Sequence, residues 1–312
     1  MKRLQFFRFV APLLVLAACD SGPKVPVPML TVLAAGSLAR PLRAALDTIA
    51  ATGGPTVQME VMGSREMLRA MTMLGRTPDL LVTADADELE QILIPSYVSS
   101  STTFARNRVV LALSAKSAKA AGVTTENWME LVGGGTLRIA RTDPKRAPLG
   151  YRTQLVWRLA EIESQRAGLA AKLAASSPDA LMRGNEADLA TLLESGDVDA
   201  AWCYESLAKS MNLKFVRVGD RIDLGSEAEL ASYRRALIRT AGATTEDTVM
   251  IAGSPIRYSI ALVSNSADAV GSALLRDRLL DSVSKRVMRR VGLDVSDSVR
   301  VVTASSKYRQ MP

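Results

Sequence analysis

Histidine is absent from the 312 residues. That absence excludes a Ser-His-Asp or Cys-His catalytic site and a His-ligated metal, and with them most common hydrolases and metalloenzymes. Cysteine occurs only twice, as Cys19 and Cys203. Aromatic residues make up only 4% of the chain, so Ala, Leu and Val must build the core. A long apolar run is also missing: the stretch 10–18 is far too short to span a bilayer as a helix. Gly, Pro and charge content are ordinary, which leaves no argument for disorder or a fibrous class.

With 48% hydrophobic residues, the length allows either one large domain or two smaller lobes. The formal charge is +7. Three of those charges, Lys2, Arg3 and Arg8, precede the apolar run 10–18, and residues 1–18 read as a signal peptide. Its removal leaves a formal +4, a mild excess that suits an anionic ligand by long-range attraction and equally suits a solvated basic surface. Nucleic acid is a poor fit, because the charge is diffuse, aromatics are few and the chain is exported.

Leu16-Ala17-Ala18-Cys19 resembles a bacterial lipobox. The resemblance implies that Cys19 is lipidated and becomes the mature N-terminus; a chance cysteine after an ordinary signal peptide is the alternative. Asp20 at the next position implies retention at the inner membrane. Residues 19–28 then form a lipidated tether, with three prolines and a glycine between Cys19 and the first strand. Cys203, left without a partner, reads as a small buried hydrophobe.

From residue 29 the pattern alternates strand, turn and helix: strands at 29–33, 57–62 and 80–83, helices at 38–51, 65–74 and 87–93. A strong strand follows at 108–113. Beyond it come strands at 137–140, 200–204, 214–218 and 257–263, and helices at 153–163, 187–194, 268–281 and 283–291. Alternation of this size argues for an α/β fold with parallel sheets covered by helices.

Two turns share one design. Ala34-Ala35-Gly36-Ser37 and Met62-Gly63-Ser64 each join a strand end to a helix start. A helix N-terminus offers unpaired N–H groups and the positive dipole end, and Ser adds a hydroxyl donor. Side by side at the ends of parallel strands, the two would cradle an anion; taken singly, each is also an ordinary N-cap. Three further segments carry polar turns: Asp143 through Arg152, with Pro144, Pro148 and Gly150; Ala201-Trp202-Cys203-Tyr204-Glu205-Ser206; and Asn185, a candidate N-cap for the helix beginning near Glu186.

These stretches, with Pro78 through Asp85, Phe104-Ala105-Arg106-Asn107-Arg108 and Gly253-Ser254-Pro255-Ile256-Arg257-Tyr258, resemble the extracytoplasmic tungstate/molybdate-binding proteins of ABC transporters, in the family's order, over about residues 30–293. The resemblance implies a two-lobed type II periplasmic-binding fold. Each lobe is a mainly parallel sheet flanked by helices, and the ligand lies in the interlobe cleft. Lobe one is expected at 29–107 plus 264–312. Lobe two is expected at 108–263, including two crossing strands near 108–113 and 258–263.

By the same resemblance, oxyanion ligands are expected from Ser37 and Ser64, from backbone N–H groups at Leu149 and Gly150, from Tyr204 and from a helix start near Glu186. Glu205 is expected as a carboxylate ligand to the W or Mo centre, which can expand its shell beyond the tetrahedron where sulfur and phosphorus do not. Such a carboxylate selects by repelling the wrong anion. The alternative has Glu205 capping the next helix or pairing with a base such as Lys209. The family's second carboxylate position holds Ala147 here, and Asp143 is the possible substitute.

The resemblance further implies a non-enzymatic protein with no cofactor. It would be a monomer that captures tungstate or molybdate for an ABC permease and its ATPase. It would touch the membrane only through its lipid anchor, at the periplasmic face of the inner membrane or the cell surface. Binding of sulfate or phosphate, and an enzyme on the same fold using Glu205, Asp143 or Tyr151, are the alternatives.

Overall fold

The computed structural model describes residues 29–241 and 248–308. The expected signal peptide, the lipobox with Cys19 and the tether lie outside the described residues. Among the described residues, no helix is long and apolar enough to cross a membrane.

The first lobe opens with Leu30–Ala35 (β1), Val57–Met62 (β2), Leu80–Thr83 (β3) and Val98–Asn107 (β4). The second contains Val109–Leu113 (β5), Ile139–Thr142 (β6), Met182–Arg183 (β7), Ala200–Tyr204 (β8) and Lys214–Arg217 (β9). A hairpin follows, Leu237–Ala241 (β10) against Thr248–Ala252 (β11), and then Ile256–Val263 (β12) and Asp294–Thr303 (β13). Two main sheets result. One has the order β13-β4-β12-β3-β1-β2, and the other β7-β6-β8-β5-β9.

Burial explains which strands sit centrally. The runs LLVT of β3, VVLAL of β5 and AAWCY of β8 are buried at every position, as strands covered on both faces must be. β2, at the sheet edge, is only half-buried. The scarce aromatics are concentrated: Trp202 is fully buried and meets Trp128 and Trp157 edge-on at 5.7 and 6.3 Å. Cys203 is buried beside it as a free thiol.

β4 passes directly into β5 with only Arg108 between them, so this is one crossing between the lobes. The second crossing runs back beside it. Val109 N–H donates to the Asp223 carbonyl and Ile256 N–H to the Leu224 carbonyl, both at 2.8 Å. Here the expectation needs correcting. Residues 258–263 belong wholly to the first sheet, paired with β3 and β4, so the chain returns to lobe one before Ile256 rather than after 263. The strand is buried on both faces, and periodicity alone does not say which sheet claims it.

Two other departures bear on the site. The helix expected from 153 begins at Pro148, because a proline at the first helical position has no N–H to lose and its φ is already helical. β4, with its run Ser-Ser-Ser-Thr-Thr, is not legible as a strand from sequence; it is held by ladders to β12 and β13 on both sides.

Candidate functional site

Three strands of lobe one end together. Ala35 of β1 is paired with Met62 of β2, and Ala34 with Val82 of β3. The turns that follow, Gly36-Ser37, Gly63-Ser64 and Ala84-Asp85, therefore stand side by side at the carboxyl edge of parallel strands, where α/β sheets place ligands. In lobe two, β6 is parallel to both β7 and β8. Its neighbours end at Arg183 and Tyr204, and the helices Pro148–Ser164, Glu186–Ser195 and Glu205–Ser210 follow these ends.

The two carboxyl edges face each other closely. A Cβ on Gly63 would overlap the Arg146 carbonyl oxygen, and a Cβ on Gly36 would lie 3.1 Å from Glu186 N. The glycines admit the opposite lobe's backbone, a closer approach than the ligand contact that the sequence suggested. Gly150, expected to expose backbone N–H groups, instead packs on Asp143 and Pro144, and its own N–H donates to the Ala147 carbonyl at 3.0 Å. Leu149 is buried in the first turn of the same helix.

Three hydroxyls at this junction share one property. Ser37 Oγ accepts from Tyr258 Oη at 2.9 Å, Ser64 Oγ from Ala84 N–H at 3.0 Å, and Tyr204 Oη from Arg152 Nη1 at 2.7 Å. Each hydroxyl can accept and donate, and each has its accepting side engaged by the protein. Among the described residues none of the three donates to a protein acceptor, so each keeps its proton for another partner. All three side chains are buried. The rings of Tyr204 and Tyr258 meet edge-on at 5.9 Å, and Asn107 Nδ2 donates to Tyr258 Oη from behind at 2.7 Å.

Glu186 stands against Gly36-Ser37, within electrostatic reach of Tyr204 and Tyr258. Asn185 caps its helix, accepting from the N–H groups of Ala187 and Asp188 at 2.9 and 3.2 Å, so Glu186 occupies the first helical position. The residue is 1% exposed, and neither carboxylate oxygen makes a well-formed hydrogen bond, although its own N–H and that of Ser37 lie near it. Burial pushes its pKa up to about 7, against the lowering influence of its own N–H, of Arg152 and of the Ser37 N–H. A buried carboxylate without well-formed hydrogen bonds is costly.

Glu205 is placed elsewhere. Its carboxylate is held by Arg217 at 2.7 Å, Lys209 at 3.0 Å and Arg108 at 3.0 Å, beside the first crossing strand. Burial raises its pKa, but hydrogen bonds from Arg217 and Lys209 prevail and hold it below the usual value. The expectation that Glu205 reaches the cleft is therefore replaced by its alternative, an ion pair with Lys209 and two arginines. The helix begins at Glu205 with Tyr204 as N-cap residue, and this first turn carries the carboxylate towards the crossing. Asp143 likewise closes its own turn, accepting from Lys145 N–H at 2.8 Å.

Sequence reasoning did not reach the contacts that Arg152, Tyr258 and Asp85 make. All three lie inside segments singled out above, but only the closure of one lobe on the other reveals what they touch. Among the described residues no group of three or more Asp, Glu or Cys is placed to hold a bare metal ion. The arrangement suits a ligand that accepts several hydrogen bonds and tolerates one carboxylate.

Comparison with known proteins bears on the family and the fold. A molybdate/tungstate-binding protein of Pyrococcus abyssi is 26% identical over 255 residues, covering 75% of this chain and 73% of that protein. A putative ABC transporter molybdenum-binding protein of Haloferax volcanii is 30% identical over 247 residues, covering 78% and 75%. Among solved structures, the periplasmic molybdate-binding protein of Azotobacter vinelandii superposes with a TM-score of 0.59 at 14% identity, covering 86% of this chain and 100% of that one. The sulfate-binding protein of Mycobacterium tuberculosis superposes with the same TM-score at 11% identity, covering 91% of each chain. These likenesses establish the type II periplasmic-binding fold. The family described as bacterial extracellular solute-binding protein matches residues 30–294, and this chain belongs to it.

Proposed function

We propose that the protein captures molybdate or tungstate between its lobes and delivers it to an ABC importer, without chemical change to the anion. The observation that carries this reading is the buried carboxylate of Glu186, without a well-formed hydrogen bond, near the Ser37 and Tyr204 hydroxyls, whose accepting sides are engaged by Tyr258 and Arg152. The hydroxyls and the helix starts suit the oxygens of a tetrahedral dianion. The carboxylate opposes a plain anion but can bind a Lewis-acidic Mo(VI) or W(VI) centre as an added oxygen ligand. Glu186 thus takes the role first assigned to Glu205, and it discriminates by repulsion against sulfate and phosphate. Ala147 supplies no second carboxylate, and Asp143 is engaged in its own turn, so Glu186 acts alone.

The second reading, sulfate or phosphate, draws on the Glu186 pKa of about 7. A protonated Glu186 would donate to an ordinary oxyanion rather than repel it. Titration of wild type and Glu186→Gln with molybdate and with sulfate separates the two. Loss of molybdate affinity with sulfate unchanged or improved supports the first reading; equal affinity for molybdate in both proteins contradicts it. The family's extracellular character agrees with capture outside the cytoplasm. Lipidation at Cys19, a monomeric state and a permease–ATPase partner belong to this proposal.

A further inference from the structure

We infer that Arg152 is the interlobe latch of this protein, a positioning residue that sets how long a captured anion is held. The inference rests on the anion-capture reading above.

Arg152 lies in the second turn of the lobe-two helix Pro148–Ser164, yet it bonds across the cleft. Its Nη1 donates to the Ala84 carbonyl of lobe one at 2.6 Å, and its Nη2 lies 3.5 Å from Asp85 Oδ2. Nη1 also donates to Tyr204 Oη in its own lobe at 2.7 Å. Ala84 in turn donates its N–H to Ser64 Oγ at 3.0 Å. One chain of contacts therefore runs from Ser64 through Ala84 and Arg152 to Tyr204, joining a donor hydroxyl of lobe one to a donor hydroxyl of lobe two. Tyr151 strengthens the crossing with a hydrogen bond from its hydroxyl to Asp85.

Other contacts also bridge the lobes, but they differ in kind. Arg69 to the Lys145 carbonyl, Arg146 to Glu66 and Arg40 to the Ser210 carbonyl are exposed. Such contacts compete with water and contribute little. Arg65 is buried and reaches the Pro144 carbonyl at 2.9 Å, but it touches none of the three hydroxyls. Arg152 and Asp85 are 3% and 4% exposed at the side chain, so opening the cleft must separate a buried pair of opposite charges. The planar guanidinium can hold the carbonyl and the tyrosine oxygen in one geometry, which an ammonium does not reproduce.

A latch formed only on closure governs dissociation rather than encounter. For Arg152→Lys and Arg152→Gln, the dissociation rate of molybdate or tungstate is expected to rise at least about tenfold, with the association rate within about threefold of wild type. Asp85→Asn, which keeps a helix-capping side chain and leaves Tyr204 untouched, should also speed dissociation. A merely structural role would lower the melting temperature of the ligand-free protein and leave anion dissociation as in wild type; a latch speeds dissociation and shrinks the rise in melting temperature on adding anion.

The separation of spin labels placed by Arg43→Cys and Thr191→Cys, on the two helices that begin at the junction, gives a readout independent of affinity. It should shift to longer distances in Arg152→Gln, measured with and without anion. Unchanged dissociation in these variants, or an unchanged label distance, overturns the latch. If wild type captures none of molybdate, tungstate, sulfate and phosphate, the functional reading fails, and the label distance still decides the latch by itself.

Discussion

Gly36 and Glu186 meet across the interlobe junction, with Glu186 Oε2 only 2.7 Å from where a Cβ on Gly36 would stand. The lobe-one turn and the lobe-two helix start thus approach so closely that a side chain at residue 36 would displace the Glu186 carboxylate.

Closure should therefore be impeded to different degrees when the two cleft glycines gain a methyl group. Gly63→Ala drives a Cβ into the Arg146 carbonyl, which is backbone and cannot swing aside, whereas Gly36→Ala meets first the movable end of Glu186. Anion affinity is expected to fall by about tenfold or more for Gly63→Ala and by less for Gly36→Ala. Calorimetric titration checks the order.

Ser37→Ala and Ser64→Ala should each weaken anion binding by about 1–3 kcal/mol, the cost of deleting one donor in a buried site. Ser64→Ala also leaves the Ala84 N–H without its acceptor, so its ligand-free stability should drop as well. Thermal melting beside titration distinguishes the two contributions.

Glu205→Gln should leave anion affinity and selectivity near wild type. Its carboxylate serves Arg108, Lys209 and Arg217, and the loss of these charge-assisted bonds should cost about 1–3 kcal/mol of stability. Because its folded pKa is lowered, this contribution is present above the unfolded value and disappears as pH falls. Denaturant melts at neutral and acid pH measure it.

Glu186 gives the opposite pH dependence. Its folded pKa of about 7 lies above the ordinary 4.5, so the closed form binds a proton that the open or unfolded chain releases between these values. Stability of the closed arrangement is full below the lower value and declines as pH rises towards 7, by on the order of 3 kcal/mol if fully expressed. Melting of the ligand-free protein across this window should slope downward in wild type and less steeply in Glu186→Gln, where Asp87, Glu88, Glu90 and Asp223, also raised by burial, still contribute.

The sequence signals are strongest where they are local. Apolar strands ending in Gly-Ser turns identify β1 and β2 and the start of the cradle, and Asn185 is legible as a helix cap. Glu186 and Glu205 show where local reading stops. Each begins a helix after a lobe-two strand, and sequence favours the one beside Tyr204. Which carboxylate reaches the cleft depends on the path of the crossing strands and on the bases around Glu205, and both are set by tertiary packing. The same holds for β4, whose hydroxyl-rich run becomes a central strand only because β12 and β13 pair with it.

Capture of a molybdate-type anion is measured by calorimetric titration of the protein with molybdate, tungstate, sulfate and phosphate in separate runs. Tight one-to-one binding of molybdate or tungstate, with sulfate and phosphate silent, is the result this account predicts. Sulfate or phosphate binding as tightly as molybdate, or no heat from any of the four, would contradict it.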